Sequence, residues 1–316
     1  MAQAFGCARV VWNDGLRARR DARAAGRPYL SSAELSKTCI TQAKRTEGRA
    51  GLGDVSAVVL QQSLVLRDDG RVYVAKVGDL RVRWSRPLPA APTSLTVVKD
   101  AAGRYFASFV VDTEPGILPE VDTEVGIDLG LTTFAVLSDG TKISSPRFLR
   151  RAEKKLRRLQ RELSRKVKGS RNRTRAQIKV ARQHARVADR RRDWHHKTST
   201  RIIRDNQAVY VEDLAVHALG RTRLAKSVHD AGWAAFVSML EYKAAKHGRH
   251  FGKIGRFEPT SQVCSTCGHR DGPKPLHVRE WTCGACGSVH DRDENAAINT
   301  LAAGRADRLN ASLERG

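Results

Sequence analysis

No apolar run in this sequence approaches the ~20 residues that a helix needs to cross a bilayer, so a helical membrane span is excluded. No secretory leader is read at the start. Cysteine is scarce: there are Cys7, Cys39, Cys264, Cys267, Cys283 and Cys286. Four of the six fall in two C-x-x-C pairs, which argues against a disulfide framework and for a reducing compartment. Internal repeats are absent. Negative charge is also in short supply, with 33 Asp+Glu against 57 Lys+Arg, a net charge of +24. Such an imbalance says little about fold. It points to a polyanionic partner, and nucleic acid is the commonest.

The 316 residues, 41% of them hydrophobic, suffice for one large core or two smaller domains. Residues 1–65 read as mainly helical and irregular. Four strands are expected in 71–111 (RVYVAKV, LRVRW, SLTVV and RYFASFVV), separated by turns at DDG and DAAG, as in a small antiparallel sheet or barrel. TEPGILPEVDTE (113–124) reads as a linker. From Val125, VGIDLG, TFAVLS and TKISS read as a meander opening a mixed α/β domain.

Residues 147–204 carry 23 Lys/Arg and four acids. Leu149, Ala152, Leu156, Leu159, Leu163 and Val167 recur at helical spacing, Gly169-Ser170 interrupts, and Ile178, Ala181, Ala185 and Ala188 resume. The pattern predicts a helical hairpin with an apolar seam and a cationic exterior suited to phosphates. AVYVEDL (208–214) reads as a buried strand ending in acids, GWAAFVSMLEYKAAKHG (232–248) as an amphipathic helix, and HFGKIGRF (250–257) as a strand. DENAAINTLAAGRA reads as a short helix followed by a frayed tail.

CSTCG and CGACG place Cys264, Cys267, Cys283 and Cys286 in two knuckles, each with a glycine that lets the chain turn sharply. Four thiolates so arranged suit a closed tetrahedral zinc site, structural rather than catalytic. His269, His277 and His290 lie nearby and are not needed as ligands. Three acids stand at the edges of apolar elements: Asp128 and Glu212 at strand ends, and Asp293 at the start of an Ala-rich helix. Singly, Glu212 reads equally well as a solvated strand-end acid and Asp293 as a helix N-cap. Converging, the three would hold two Mg²⁺ ions, the arrangement of phosphodiester-cleaving nucleases.

GIDLGLTTFAVLSDG, VYVEDLAV, RFEPTSQVCSTCGH, REWTCGACGSVHDRDENAAINTL and GWAAFVSMLEYKA closely resemble the TnpB family, RNA-guided DNA nucleases of insertion sequences related to type V CRISPR effectors. The resemblance covers nearly all of 125–303 and reaches upstream to FGCARVVWN. It implies an α/β fold: an RNase H-like (RuvC-like) nuclease domain over 125–316. The basic hairpin 147–204 and a zinc ribbon at 258–290 are inserted in it, behind a helical recognition region at 1–65 and a β-rich, barrel-like region at 66–113. It implies Asp128, Glu212 and Asp293 as the Mg²⁺-binding catalytic acids, the family's D-x-N-A-A pattern selecting Asp293 over Asp291. It implies Zn²⁺ on the four cysteines. The expected partners are a guide RNA from the transposon end and double-stranded target DNA with a short flanking motif. The expected setting is a bacterial or archaeal cytoplasm, near the nucleoid and away from membranes.

The sequence departs from that family in its N-terminal half. Members begin with a further strand before FGCAR, which here starts at residue 5, and carry a longer section where LQQSLVLRDDGRVYV here runs straight through. That half is therefore expected to be shortened. Two other readings stay open: a binding protein without cleavage, such as a truncated relic or RNA-dependent repressor, and a transposase acting without RNA.

Overall fold

The computed structural model describes residues 56–60, 64–74, 78–114, 116–275 and 277–313. The helical reading of 1–55, with FGCAR, Cys7 and Cys39, lies outside the described residues. So do the last three residues of the tail. Among the described residues no helix is long and apolar enough to cross a membrane. The described residues divide into two compact units, one within 56–114 and 159–182, the other within 116–158 and 183–313.

The first unit holds two three-stranded antiparallel sheets. One pairs β1 (Ser56–Leu60), β5 (Pro92–Lys99) and β6 (Tyr105–Val111); the other pairs β2 (Leu64–Leu66), β3 (Arg71–Val74) and β4 (Gly78–Arg81). Alternation in β3 and β5 buries Val72, Val74, Leu95 and Val97 in one small core, which Leu80, Val82 and Phe109 flank. Ser56–Leu60 corrects the helical reading of 1–65. A short apolar run does not reveal its period, and pairing with β5 makes it a strand.

The second unit is built on a five-stranded mixed sheet of order β11-β10-β7-β8-β9. β7 (Glu124–Leu129), β8 (Thr133–Leu137) and β9 (Lys142–Ser144) form an antiparallel meander. β10 (Ala208–Glu212) lies parallel to β7, and β11 (His250–Ile254) parallel to β10. The interior strand β10 is buried along its apolar length, as expected of a strand covered on both faces.

Two long helices, α1 (Phe148–Ser164) and α2 (Arg171–Asp205), connect β9 to β10. Leu156, Leu159, Ala176 and Val187 are buried along them. All 23 basic residues of 147–204 are exposed except the half-buried Arg173 and Arg191. Val167 departs from the expected seam and is 78% exposed, because α1 ends at Ser164. Past that point Arg173 bonds the Leu163 and Lys166 carbonyls, satisfying groups the helix end leaves open.

α3 (Val216–Leu219), α4 (Ala225–Ala231) and α5 (Trp233–His247) join β10 to β11. Trp233, Phe236, Leu240 and Ala244 of α5 enter the core, and Phe236 meets Phe134 edge to face at 4.9 Å. Residues 116–123, expected as a linker, have no regular structure yet are tied down: Arg249 Nη2 donates to the Pro119 carbonyl at 2.6 Å, and the Thr123 carbonyl accepts from Gln207 N–H at 2.7 Å.

α6 (Arg292–Leu313) is far longer than the short helix expected. Its tail is held by Arg305 and Arg308, which pair with Glu124 at 2.6 and 3.1 Å. Its closeness to the sheet depends on Gly126 and Gly304. A Cβ on Gly126 would run into the Ala297 carbonyl and lie 2.9 Å from Leu301 Cβ; one on Gly304 would enter the Tyr210 ring. Gly126→Ala is therefore expected to destabilise the protein by roughly 2–3 kcal/mol, by forcing α6 outward. Thermal melting checks this.

Candidate active site

Asp128 is the penultimate residue of β7, and Glu212 ends β10. The pairing of Ile127 with Val211 in these parallel strands sets the two acids side by side at the carboxyl edge of the sheet. Asp293 is the second residue of α6. The charges of the other two carboxylates reach Asp128. Burial, then the charges of Glu212 and Asp293, push the Asp128 carboxyl up to about 8, while Arg292 and Arg279 offset only part of this. Burial also raises Glu212, opposed by a hydrogen bond from the Thr260 hydroxyl at 2.5 Å. Asp293 is held by Arg279 Nη1 at 3.2 Å. Like charges gathered in a half-buried place are costly unless a cation lies between them, and hard divalent ions take such oxygen ligands.

The neighbouring acid has other work. Asp291 Oδ1 accepts the backbone N–H groups of Asp293 and Glu294, each at 3.0 Å, which caps α6. Its Oδ2 pairs with Lys142 at 2.5 Å. Burial raises Asp291, but these hydrogen bonds and the Lys142 charge leave it below the usual range. The cap role that the sequence left open for Asp293 thus falls to Asp291.

The four cysteine sulfurs lie within 4.8 Å of one another. Cys264–Cys286 and Cys267–Cys283 are each separated by 3.7 Å. A tetrahedron of zinc–sulfur bonds has edges of about 3.8 Å, so the donor set fits that ion. The knuckles are built alike: Gly268 N–H bonds the Cys264 carbonyl, Gly287 N–H bonds the Cys283 carbonyl, and the two glycines have φ of 73° and 74°. β12 (Glu280–Thr282) and β13 (Val289–Asp291) pair beside them. His290 Nε2 lies 3.0 Å from Cys264 Sγ, beside the ligand set rather than in it.

Sequence reasoning missed what joins the two centres. Asn295 and Asn299, four residues apart on one face of α6, each bond both the Thr260 and Val263 carbonyls, at 2.7–3.2 Å. Asn295 Oδ1 also accepts from Ser265 N–H at 2.9 Å. The segment entering the first knuckle is thereby fastened to α6, and through the Thr260 hydroxyl to Glu212. The N-A-A-I-N spacing was a signal for the shared face; the carbonyls it meets were not legible.

Removing only the Thr260 hydroxyl, as in Thr260→Val, is expected to raise the proton affinity of Glu212 further and to weaken divalent-ion binding at the carboxylates roughly tenfold or more, the scale of a hydrogen bond to a charged group. Thr260→Ser should bind nearly as the parent does. Calorimetric titration with Mg²⁺ checks both.

Beside Glu212 a cleft of about 490 Å³ opens, floored by Leu129, Trp233 and Val237 and edged by Lys253 and Arg256.

A mixed sheet with acids at its carboxyl edge and a four-cysteine insertion before the last helix defines the class. Residues 108–223 match the OrfB/IS605 family described as "Probable transposase", residues 233–300 the "Cas12f1-like, TNB domain", and residues 1–28 the OrfB/IS605 "Helix-turn-helix domain". The fold is similar to the cryo-EM structure of a Cas12f1–sgRNA–target DNA complex. The TM-score is 0.58 at 12% identity, over 95% of this chain and 81% of that one. A Streptomyces pristinaespiralis protein named "Putative RNA-guided DNA endonuclease" is 42% identical over 97% of this chain and 86% of its own length. Escherichia coli K12 "Putative RNA-guided DNA endonuclease InsQ" is 31% identical over 76% of this chain and 63% of its own. The chain belongs to the TnpB family.

Proposed function

We propose that this protein is an RNA-guided DNA endonuclease of a transposable element, dependent on divalent metal ions. One observation carries the reading: Asp128 and Glu212 stand side by side at the carboxyl ends of the paired strands β7 and β10, and the charges of Glu212 and of Asp293, from a third element, both reach Asp128. Two bound Mg²⁺ ions would supply an activated water and a clamp on the leaving oxygen of a phosphodiester. The chain's own part is to hold the three carboxylates: Asp128 on β7, Glu212 oriented by Thr260, and Asp293 steadied by Arg279. In this reading residues 125–316 form an RNase H-like (RuvC-like) nuclease domain, supported by the strand order and by the parallel pairing of β7, β10 and β11. The thiolate centre is a structural zinc ribbon, residues 66–113 form a β-rich region, and the basic helices hold phosphates.

The partners are a guide RNA from the transposon end and double-stranded DNA with a short flanking motif. Pairing would read the sequence while cationic surface holds the backbone. The test is to purify the protein with RNA expressed from its own element, sequence that RNA, and offer a plasmid carrying the matching target with Mg²⁺. Cutting that follows the guide supports the reading. Tight RNA and DNA binding without cutting would instead select a binding protein, and strand-transfer products formed without RNA a transposase.

The exposed charge of the α1–α2 segment makes a separate expectation. If six to ten phosphates are held, nucleic-acid affinity falls about 10³–10⁵-fold between 50 and 200 mM salt. A flat salt titration would remove these helices from the interface.

A further inference from the structure

Phe257 is 93% exposed, more than any other large hydrophobic side chain among the described residues. An isolated exposed apolar residue is ordinary on a protein surface, so exposure alone carries nothing. The mounting of this ring does. Arg256 and Phe257 occupy the centre of a turn closed by Glu258 N–H to the Gly255 carbonyl at 3.1 Å. Just before the turn, Ile254 of β11 is paired with Glu212. Within it, Arg256 donates to the Asp213 carboxylate at 2.5 Å and to the Asp213 carbonyl at 3.3 Å. Just after it, Thr260 donates to Glu212 at 2.5 Å. The turn is thus pinned at three points to the Glu212–Asp213 pair, and Pro259 narrows the backbone between the last two. The ring is held into solvent by a stiff base, three residues and so at most ~11 Å of chain from the threonine that touches Glu212.

We propose that Phe257 is a stacking platform for an unpaired base of the DNA strand cut at the carboxylates. The inference rests on the nuclease reading given above. A strand with a phosphate among Asp128, Glu212 and Asp293 passes this turn, because the turn is anchored to Glu212 itself. Lys253 and Arg256, at the edge of the adjoining cleft, are already paired with Glu241 and Asp213, so the ring rather than local positive charge makes the contact. A base within a duplex has both faces covered by its neighbours; an unpaired one offers a face to an aromatic ring. Such stacking accepts any base, which suits a nuclease whose sequence choice is made by its guide. Because the turn is already fixed in the folded protein, little ordering entropy remains to be lost on binding.

The test uses full-length protein with its RNA, in an Asp128→Asn background that leaves the DNA whole. Single-stranded DNA carries 2-aminopurine at successive positions. Quenching is expected at one or two adjacent positions. It should disappear in Phe257→Ala and Phe257→Leu and return in Phe257→Tyr. Affinity for single-stranded DNA should fall about 5–100-fold in Phe257→Ala, the scale of one base stacked on an aromatic ring. Melting temperatures should be unchanged, since the side chain supports nothing beneath it. The proposal is overturned if Phe257→Leu keeps quenching and affinity, if Phe257→Ala matches the parent, or if quenching occurs only with the probe in the guide RNA. Guided cutting by the parent without this quenching pattern sinks the inference alone. The pattern without guided cutting sinks the nuclease reading and leaves a base-binding surface.

Discussion

Asp128→Asn is expected to abolish guided cleavage and, in the absence of divalent ions, to make the protein more stable. The two effects have one cause. Asp128 titrates near 8 in the folded protein, because burial and two neighbouring carboxylates disfavour its charge, against 3.8 for the free side chain. Between those values the folded state holds a proton that the unfolded chain has released. Stability of the metal-free protein therefore falls as pH rises from about 4 to 8. At pH 8 the charge costs on the order of 2 kcal/mol after local relaxation, so the neutral amide should raise the melting temperature by roughly 4–8 °C. The gap should close toward pH 4, and added Mg²⁺ should stabilise the parent far more than the variant. Protons and metal compete for the same oxygens, so the parent should need less Mg²⁺ at pH 8 than at pH 6.5. Melting curves across pH, with and without Mg²⁺, read all of this independently of cutting. A variant that still cuts, or that melts below the parent at pH 8 without metal, removes Asp128 from the site.

Much of this arrangement was legible from local pattern. The buried run of β10 announced itself by three consecutive residues of strand type, Val209, Tyr210 and Val211, before Glu212, and the knuckles by C-x-x-C-G. Physical reasons explain what was not. α6 seemed to end early because RLNASL offers only Leu309 and Leu313 as large apolar side chains, and both stay exposed. Its last turns depend on Arg305 and Arg308 meeting Glu124, more than 180 residues upstream, and no local signal encodes that partner. Ser56–Leu60 is too short for its period to be read, and β5 decides its state. Thr260 reads as an ordinary loop threonine until tertiary packing brings it to Glu212. The acids and cysteines of the two candidate centres were visible as types in a pattern, whereas the residues that orient them were defined only by long-range contact.

That dependence makes the thiolate centre the other place where a single change should have a large effect. Cys283→Ser, or chelation of the metal, is expected to cut guided cleavage at least ~100-fold although no cysteine touches the carboxylates. Structural zinc contributes on the order of 10–16 kcal/mol in small isolated domains, more than local packing here can replace. Among the described residues the cluster around it is only Cys264, Trp281 and Cys283, with Val278 alongside. Without the ion, the segment from Thr260 to Cys267 loses its anchor. Asn295 and Asn299 then lose the carbonyls they hold, and Glu212 loses the Thr260 hydroxyl. The His290–Cys264 contact loosens on the β13 side, one residue before the Asp291 cap of α6. Both Glu212 and Asp293 are thereby freed to move apart. The signature differs from that of Asp128→Asn. The melting temperature falls rather than rises, protease sensitivity appears within 258–303, and salt-dependent nucleic-acid binding by the basic helices persists. Limited proteolysis and metal analysis of purified Cys283→Ser would show this. Unchanged cleavage sites and melting in a zinc-free sample would mean that the acids are held by the sheet and α6 alone.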